Sequence, residues 1–475
     1  MEDAFFYCDM MASPVPFPHF WEHTVGSCHA TMALRADWQQ QLLRCQKQLG
    51  FKYVRFHGWL GDDMGTVVDK NGIRHYSFFN ADQVCDFLLS IGMRPFVELS
   101  FMPAALASGS DTVFHYKANI TPPRDNNGWD ELMSLLVTHW VDRYGIDEVK
   151  EWFFEVWNEP NLSRFWSGSQ SGYFLLYKHT AQAIKKVSPL LQVGGPATAN
   201  NEWITEFIDY CAANNAPVDF ISTHQYPADG FDSLAASEPG ILYKRTAAVK
   251  KAAGKLPVYY TEWSSSAAPF DALHDQPYTA AFIVKTIMEA QGLVAAYSYW
   301  AVTDIFEEDY FSSVPFHGGF GLLNIYGIPK PAYRAFELLH NIGNGQLPVA
   351  GEHLTVDAWV LRNNNVYSLL LTNFALPLQQ INTEKVKIQL DRTGEIAKAY
   401  IQYIDDAHAN APVAWNRMGS PGSLAMAHIV QLEIASSLKR EDIEITQQAG
   451  SAYTEITLAP HAIACITFEM YGEKR

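Results

Sequence analysis

The chain reads as an α/β protein, a (β/α)8 barrel followed by a C-terminal antiparallel β-sandwich domain, and three observations predict it. A short apolar run followed by an amphipathic helical pattern recurs eight times before about residue 343. Two of those runs, the fourth and the seventh, end on a glutamate. Beyond residue 343 the helical period gives way to short runs of period two. Strands alternating with helices need crossover connections and so form a parallel sheet, which eight units close into a barrel.

In order, strand one is expected over residues 24–29. A helix follows over 37–49, with Asp37 as N-cap and Gly50 just past its end. Strands two to four are expected at 52–57, 94–100 and 152–159, with helices at 80–91 and 128–144. Strands five to eight fall at 190–195, 218–224, 257–262 and 296–301, with helices at 172–187, 202–213, 241–253 and 278–290 and a last one at 331–340. Alternating runs at 354–361, 366–371, 386–390, 399–404, 429–434 and 463–468, separated by Asn, Asp, Gly and Pro, give the sandwich. The expected division is 14–343 for the barrel and 344–475 for the sandwich, with 1–13 adding a strand to the latter. The sandwich carries no convergent acidic motif and is expected to be a packing or oligomerisation scaffold.

Chemistry points to the strand ends. Glu151–Asn161 begins as a buried strand and stops at Pro160, which cannot continue a sheet, so Asn158 and Glu159 sit where strand four becomes loop. Strand seven ends on Thr261, Glu262 and Trp263. In a barrel of this kind the C-terminal strand ends carry the catalytic groups. Two carboxylates there, flanked by tryptophans, are what glycosidic cleavage needs, one as proton donor and one as nucleophile or base.

Composition narrows the partners. With 51 acidic against 34 basic side chains, net charge −17, the chain lacks the basic surface that nucleic acid requires. No run is long and apolar enough for a membrane span, and the acidic start lacks the features of a signal peptide. The six cysteines are scattered without CxxC spacing, which together with the missing signal implies reduced thiols and a cytoplasmic protein. The 16 histidines form no metal-binding spacing, and no glycine-rich phosphate loop follows strand one, so neither a metal nor a nucleotide cofactor is expected. A carbohydrate substrate fits, with a homo-oligomer as an open possibility.

The segments around Glu159 and Glu262 resemble the acid/base and nucleophile motifs of retaining glycosidases. Those at 50–58, 98–103, 119–123 and 316–322 resemble the β-xylosidase branch of glycoside hydrolase family 39. The likeness runs from about residue 20 to 340. It implies that Glu159 is the acid/base and Glu262 the nucleophile. It also implies that Asn158 meets the sugar 2-hydroxyl, that His224 and Tyr226 meet the glycone and the nucleophile, and that Glu307 and Glu308 hold sugar hydroxyls. His57 at the end of strand two is expected to face substrate, Trp300 at the end of strand eight to floor a sugar ring, and Phe114 in the proline-stiffened segment 110–127 to wall the pocket. By strand alternation Arg55 and Glu155 lie inside the barrel, either as a buried ion pair or in the site, and Phe153, Glu155, Trp157 and Glu159 share one face. The charge of Glu262 is expected to raise the pKa of Glu159. Other exo-glycosidases on the same barrel (arabinosidase, glucosidase, galactosidase, uronidase) and a non-catalytic carbohydrate-binding barrel remain open. A uronidase should place basic residues at the pocket, and the loops read here are acidic or aromatic.

Overall fold

In a computed structural model of the chain, residues 4–227 and 240–471 are described. Eight parallel strands, Thr24–His29, Tyr53–His57, Arg94–Glu98, Phe153–Glu155, Gln192–Thr198, Phe220–Gln225, Val258–Trp263 and Ala296–Tyr299, pair in sequence order. The eighth pairs with the first through Tyr299 and Val25, which closes the barrel. Tyr53, Phe96, Phe153, Phe220 and Tyr259 plug the lower end with one aromatic cluster. The next inward layer is charged: Arg55 and Glu155 stand one pleat above Tyr53 and Phe153 and pair at 2.5 Å, both fully buried. Alternation along a strand thus stacks an apolar floor beneath an ionic layer, and His57, one pleat higher, reaches the mouth.

The helices cover the outside in the expected places, with shifted ends. The first spans Ala36–Leu49 and is capped by Arg35, so Asp37 is not its N-cap. Asp37 sits inside the first turn, where its carboxylate takes 2.7 and 3.0 Å bonds from Arg35 and suits the positive end of the helix. Gly50 does end the helix, at φ +74. Strand four is shorter than expected and stops at Glu155.

Apart from two hairpins inserted in the barrel, Val67–Lys70 with Ile73–Tyr76 and Thr112–Val113 with Ala118–Asn119, the remaining strands form a five-stranded and a seven-stranded sheet around a common apolar core. Ala4–Asp9 joins the first, pairing parallel to Glu384–Asp391 in an otherwise antiparallel pattern. Val15–Pro16 joins the second. The run at 429–434 is not a strand: it lies in a helix, Met426–Ser436. Six alternating residues fit both periods. What decides is packing at helical spacing, because Ile429 and Leu432 meet Phe316 and Ile328 on the barrel side while Met426, Val430 and Ile434 face solvent. A strand unremarked in the sequence, Ser451–Leu458, pairs with Glu384–Asp391. Among the described residues no helix is long and apolar enough to cross a membrane. All six cysteines are free and buried.

Candidate active site

At the C-terminal mouth of the barrel a cleft of about 210 Å³ is lined by His57, Asn158, Glu159, Glu262, Trp300 and Glu308, with Phe114 and Tyr226 at its walls. Eight of the ten residues singled out in the sequence therefore meet at one cavity. His224 lies directly beneath it, fully buried, with Nδ1 2.9 Å from Glu159. Glu307 is elsewhere: its carboxylate is 3.2 Å from His29 Nε2, and its neighbour Glu308 turns into the cleft instead.

Two backbone irregularities place the glutamates. After Glu155 the chain leaves the strand, and Trp157 and Glu159 adopt φ values of +70 and +44. Such a conformation is uncommon for residues with a Cβ and is a form of strain found at functional sites. Alternation therefore fails beyond Glu155. Trp157 turns away to pack between Phe101 and Trp166, while Glu159 is fixed over the cleft by a 2.8 Å bond from its backbone N–H to the Ala197 carbonyl. In strand seven the pairing slips between Tyr260 and Glu262, leaving Thr261 as the extra residue of a bulge. Both Thr261 and Glu262 then make contacts inside the barrel, which regular pleating would forbid. Just past strand eight Trp300 reaches the cleft past Gly26, where a Cβ would come within 2.6 Å of the indole Cε3, so only glycine leaves it room.

One guanidinium organises the floor. Arg55 donates to Glu155 (2.5 Å), to Glu262 Oε1 (2.7 Å) and to Asn158 Oδ1 (3.0 Å), and lies 2.9 Å from Glu98. Burial alone would lower its pKa, and the three carboxylates more than offset that. Because Arg55 uses the Asn158 oxygen, the amide NH2 is what remains for the cleft. His57 Nδ1 lies 2.5 Å from Glu98. Burial favours its neutral form, but Glu98, Glu308 and Glu262 overcome this and push it up to about 10, so it is an imidazolium at neutral pH. Glu308 Oε1, 3.5 Å from His57 Nε2, is buried and otherwise without a hydrogen-bond partner.

Glu262 accepts from Arg55 on one oxygen and from the Tyr226 hydroxyl, at 3.1 Å, on the other. Both of its oxygens are thus already occupied by donors. Glu159 differs. Burial is the largest influence and pushes it up to about 7, with Glu98 adding to the rise, while His57, Arg55 and Arg164 pull it down. The charge of Glu262, expected from the sequence to raise Glu159, is neutralised by the guanidinium beside it and is not among the main causes.

One oxygen of each glutamate and one nitrogen of His224 all lie within 4.8 Å of one another. These donors are close enough to share a cation, but Arg55 and Tyr226 already satisfy Glu262, and the Arg55 guanidinium supplies the positive charge. Oxygens this close belong to carboxyl groups set too near for a water to stand between one of them and a bound sugar. They match the spacing of about 5 Å at which one carboxylate attacks carbon directly, not the roughly 6.5–9.5 Å of a water-mediated displacement.

The sequence reading missed Arg164, Phe165 and Phe320 at the cleft wall and Glu98 and Thr261 beneath it. Glu98 is the one with a signal, an acid ending an apolar barrel strand. Arg164 is a basic residue at the pocket. Its charge is paired with Asp309 at 2.9 Å, and it lies over the rings of Phe114 and Phe165.

The sequence profile described as "Glycosyl hydrolases family 39" matches residues 9–452. A beta-xylosidase of Caldicellulosiruptor saccharolyticus is 48% identical over 464 residues, covering 95% of either chain. One of Geobacillus stearothermophilus is 35% identical, covering 85% of this chain and 84% of its own. The crystal structure of a monomeric beta-xylosidase from Caulobacter crescentus CB15 superposes with a TM-score of 0.90 at 32% identity, over 99% of this chain and 100% of that one.

Proposed function

The chain belongs to glycosyl hydrolase family 39 and is a glycosidase, and from that premise we propose that it is a retaining β-xylosidase releasing xylose from the non-reducing end of xylo-oligosaccharides. The observation that carries the reading is the pair of glutamates that follow strand four and close strand seven, within direct-attack distance, with Glu159 pushed up to about 7 by burial and Glu262 held by Arg55 and Tyr226. Protonated Glu159 gives its proton to the departing glycosidic oxygen as the Glu262 carboxylate bonds to the anomeric carbon. Glu159 then removes a proton from water, and the oxygen of that water displaces Glu262. The free Asn158 amide donates to the 2-hydroxyl oxygen, a contact that strengthens as positive charge develops on the ring. Trp300 and Phe114 supply apolar ring faces, while His57 and the Glu308 carboxylate beside it hold hydroxyls.

A uronidase is less well supported, since Arg164, the basic residue at the cleft wall, is committed to Asp309. Six buried, unpaired thiols favour a reducing compartment, which supports a cytoplasmic location. The exposed α-helix stripe Met426, Val430 and Ile434 is a candidate contact for a homo-oligomer.

The test is hydrolysis of aryl β-glycosides with xyloside, arabinoside, glucoside and galactoside heads. The β-xyloside is expected to give the highest kcat/KM, and preference for another head would reassign the glycone. A pH dependence follows too. The acid form of Glu159 is present below its folded pKa and lost above it, so kcat/KM for xylobiose should fall as pH rises through about 7. A dinitrophenyl xyloside, whose leaving group needs no proton, should lose most of that alkaline limb. An identical limb on both substrates would take the acid role away from Glu159.

A further inference from the structure

Beneath the cleft, buried polar groups connect the two glutamates in a continuous chain. Glu159 meets His224 Nδ1 at 2.9 Å, and His224 Nε2 meets the Thr261 hydroxyl at 3.1 Å. Thr261 reaches Glu155 Oε1 at 2.7 Å, Glu155 Oε2 meets Arg55 at 2.5 Å, and Arg55 reaches Glu262. Counting hydrogens along this chain removes an ambiguity. Glu155, paired with the guanidinium, is ionic and can only accept, so the single Thr261 hydroxyl hydrogen points to it. The Thr261 oxygen then offers lone pairs to His224, and the Nε2 nitrogen facing it must carry a hydrogen.

We propose that Thr261, anchored by Glu155, fixes the tautomer of His224, so that Nδ1 is a bare acceptor that holds the proton on Glu159. Thr261 and Glu155 are then positioning residues for the acid/base, acting through a histidine, and this rests on the reading of Glu159 given above. Burial, which pushes His224 down to about 4 and keeps the ring neutral, agrees with the assignment. The bulge in strand seven acquires a purpose, since only the extra residue lets Thr261 point inward beside Glu262.

The arrangement serves both steps. At rest the Glu159 proton is directed at Nδ1 and is available to the leaving oxygen. Once that proton has gone, two lone pairs face each other across 2.9 Å, and the repulsion favours taking a proton from the incoming water. The other groups around Glu159 are His57 and Arg55 from strand two, Glu98 from strand three, Arg164 from its own loop and Glu262 from strand seven. None of them changes in the test that follows.

In Thr261→Val the Nε2 hydrogen loses its acceptor, and the ring gains by moving the hydrogen to Nδ1, where it stabilises the Glu159 carboxylate. The alkaline limb of kcat/KM for xylobiose should move down by about one pH unit. Thr261→Ser, which keeps the hydroxyl, should bring the limb back toward its original position. Nitrogen-15 spectra of histidine-labelled protein near pH 6, with His224 assigned by difference against His224→Gln, should show Nε2 protonated and Nδ1 bare in the unaltered enzyme. Thr261→Val should show the reverse. A hydrogen on Nδ1 in the unaltered enzyme overturns the proposal, as does a Thr261→Val protein whose tautomer and limb both stay put. If that variant does not fold, the tautomer of the unaltered enzyme decides alone. The spectrum reads the ring whatever role Glu159 plays, so a wrong acid assignment shows in the kinetics and leaves the tautomer result standing.

Discussion

Replacing Glu262 with alanine is expected to lower kcat on β-xylosides by about 10⁵- to 10⁶-fold while leaving the protein folded, the scale seen when an enzyme loses its covalent nucleophile. The loss should be large on good and poor leaving groups alike, because without the nucleophile neither can form the glycosyl-enzyme. Glu159→Ala should behave differently. Xylobiose turnover collapses for want of a proton, while the dinitrophenyl xyloside still forms its glycosyl-enzyme and stalls at the second step, where a base is missing. Stopped-flow release of the phenol should therefore show a burst in Glu159→Ala and none in Glu262→Ala. A burst in Glu262→Ala would mean that another side chain attacks the sugar.

The second large effect is on stability. Arg55→Met removes the cation shared by Glu98, Glu155 and Glu262, all buried, and leaves three carboxylates packed together with only His57 as counter-charge. Removing one partner from a buried ion pair costs about 3–5 kcal/mol, and this site has three pairs to lose. Unfolding in urea should show the free energy of unfolding lowered by at least that amount at pH 8. The sign with pH is fixed by linkage. Without Arg55 the folded carboxylates bind protons more readily than the unfolded ones, so the folded state gains protons and the deficit should shrink as pH falls toward 5. A deficit that is small or independent of pH would show that Arg55 is not what holds these acids ionised.

Much of this site was visible as residue types at strand ends. Asn158 and Glu159 stop where Pro160 forbids further sheet, and Glu262 closes an apolar run, so both glutamates could be placed at the barrel mouth without coordinates. The eight strands followed from the same alternation, and their ends shifted by only a few residues. What could not be read depends on backbone irregularity or on distant partners. The left-handed turns at Trp157 and Glu159 and the bulge at Thr261 break the period-two rule, so the side chains each strand offers the cleft could not be counted from spacing. The pKa of Glu159 was read in the right direction from the wrong cause. The carboxylate facing it was named, but the guanidinium that cancels that charge arrives from strand two, 207 residues away in the chain from Glu262. At residues 429–434 six alternating positions fit a strand, and only the barrel surface against Ile429 and Leu432 selected the helix.

The central claim is that Glu262 attacks the sugar and Glu159 manages the proton, and the most direct measurement of it is the anomer of the glycosyl azide formed from a dinitrophenyl β-xyloside and azide by the two alanine variants. In Glu262→Ala azide occupies the vacated space and displaces the phenol in one inversion, giving the α-azide. In Glu159→Ala the glycosyl-enzyme forms first and azide inverts it a second time, giving the β-azide. Opposite anomers from the two single substitutions are the predicted result. The same anomer from both, or the two anomers exchanged between the variants, would contradict it.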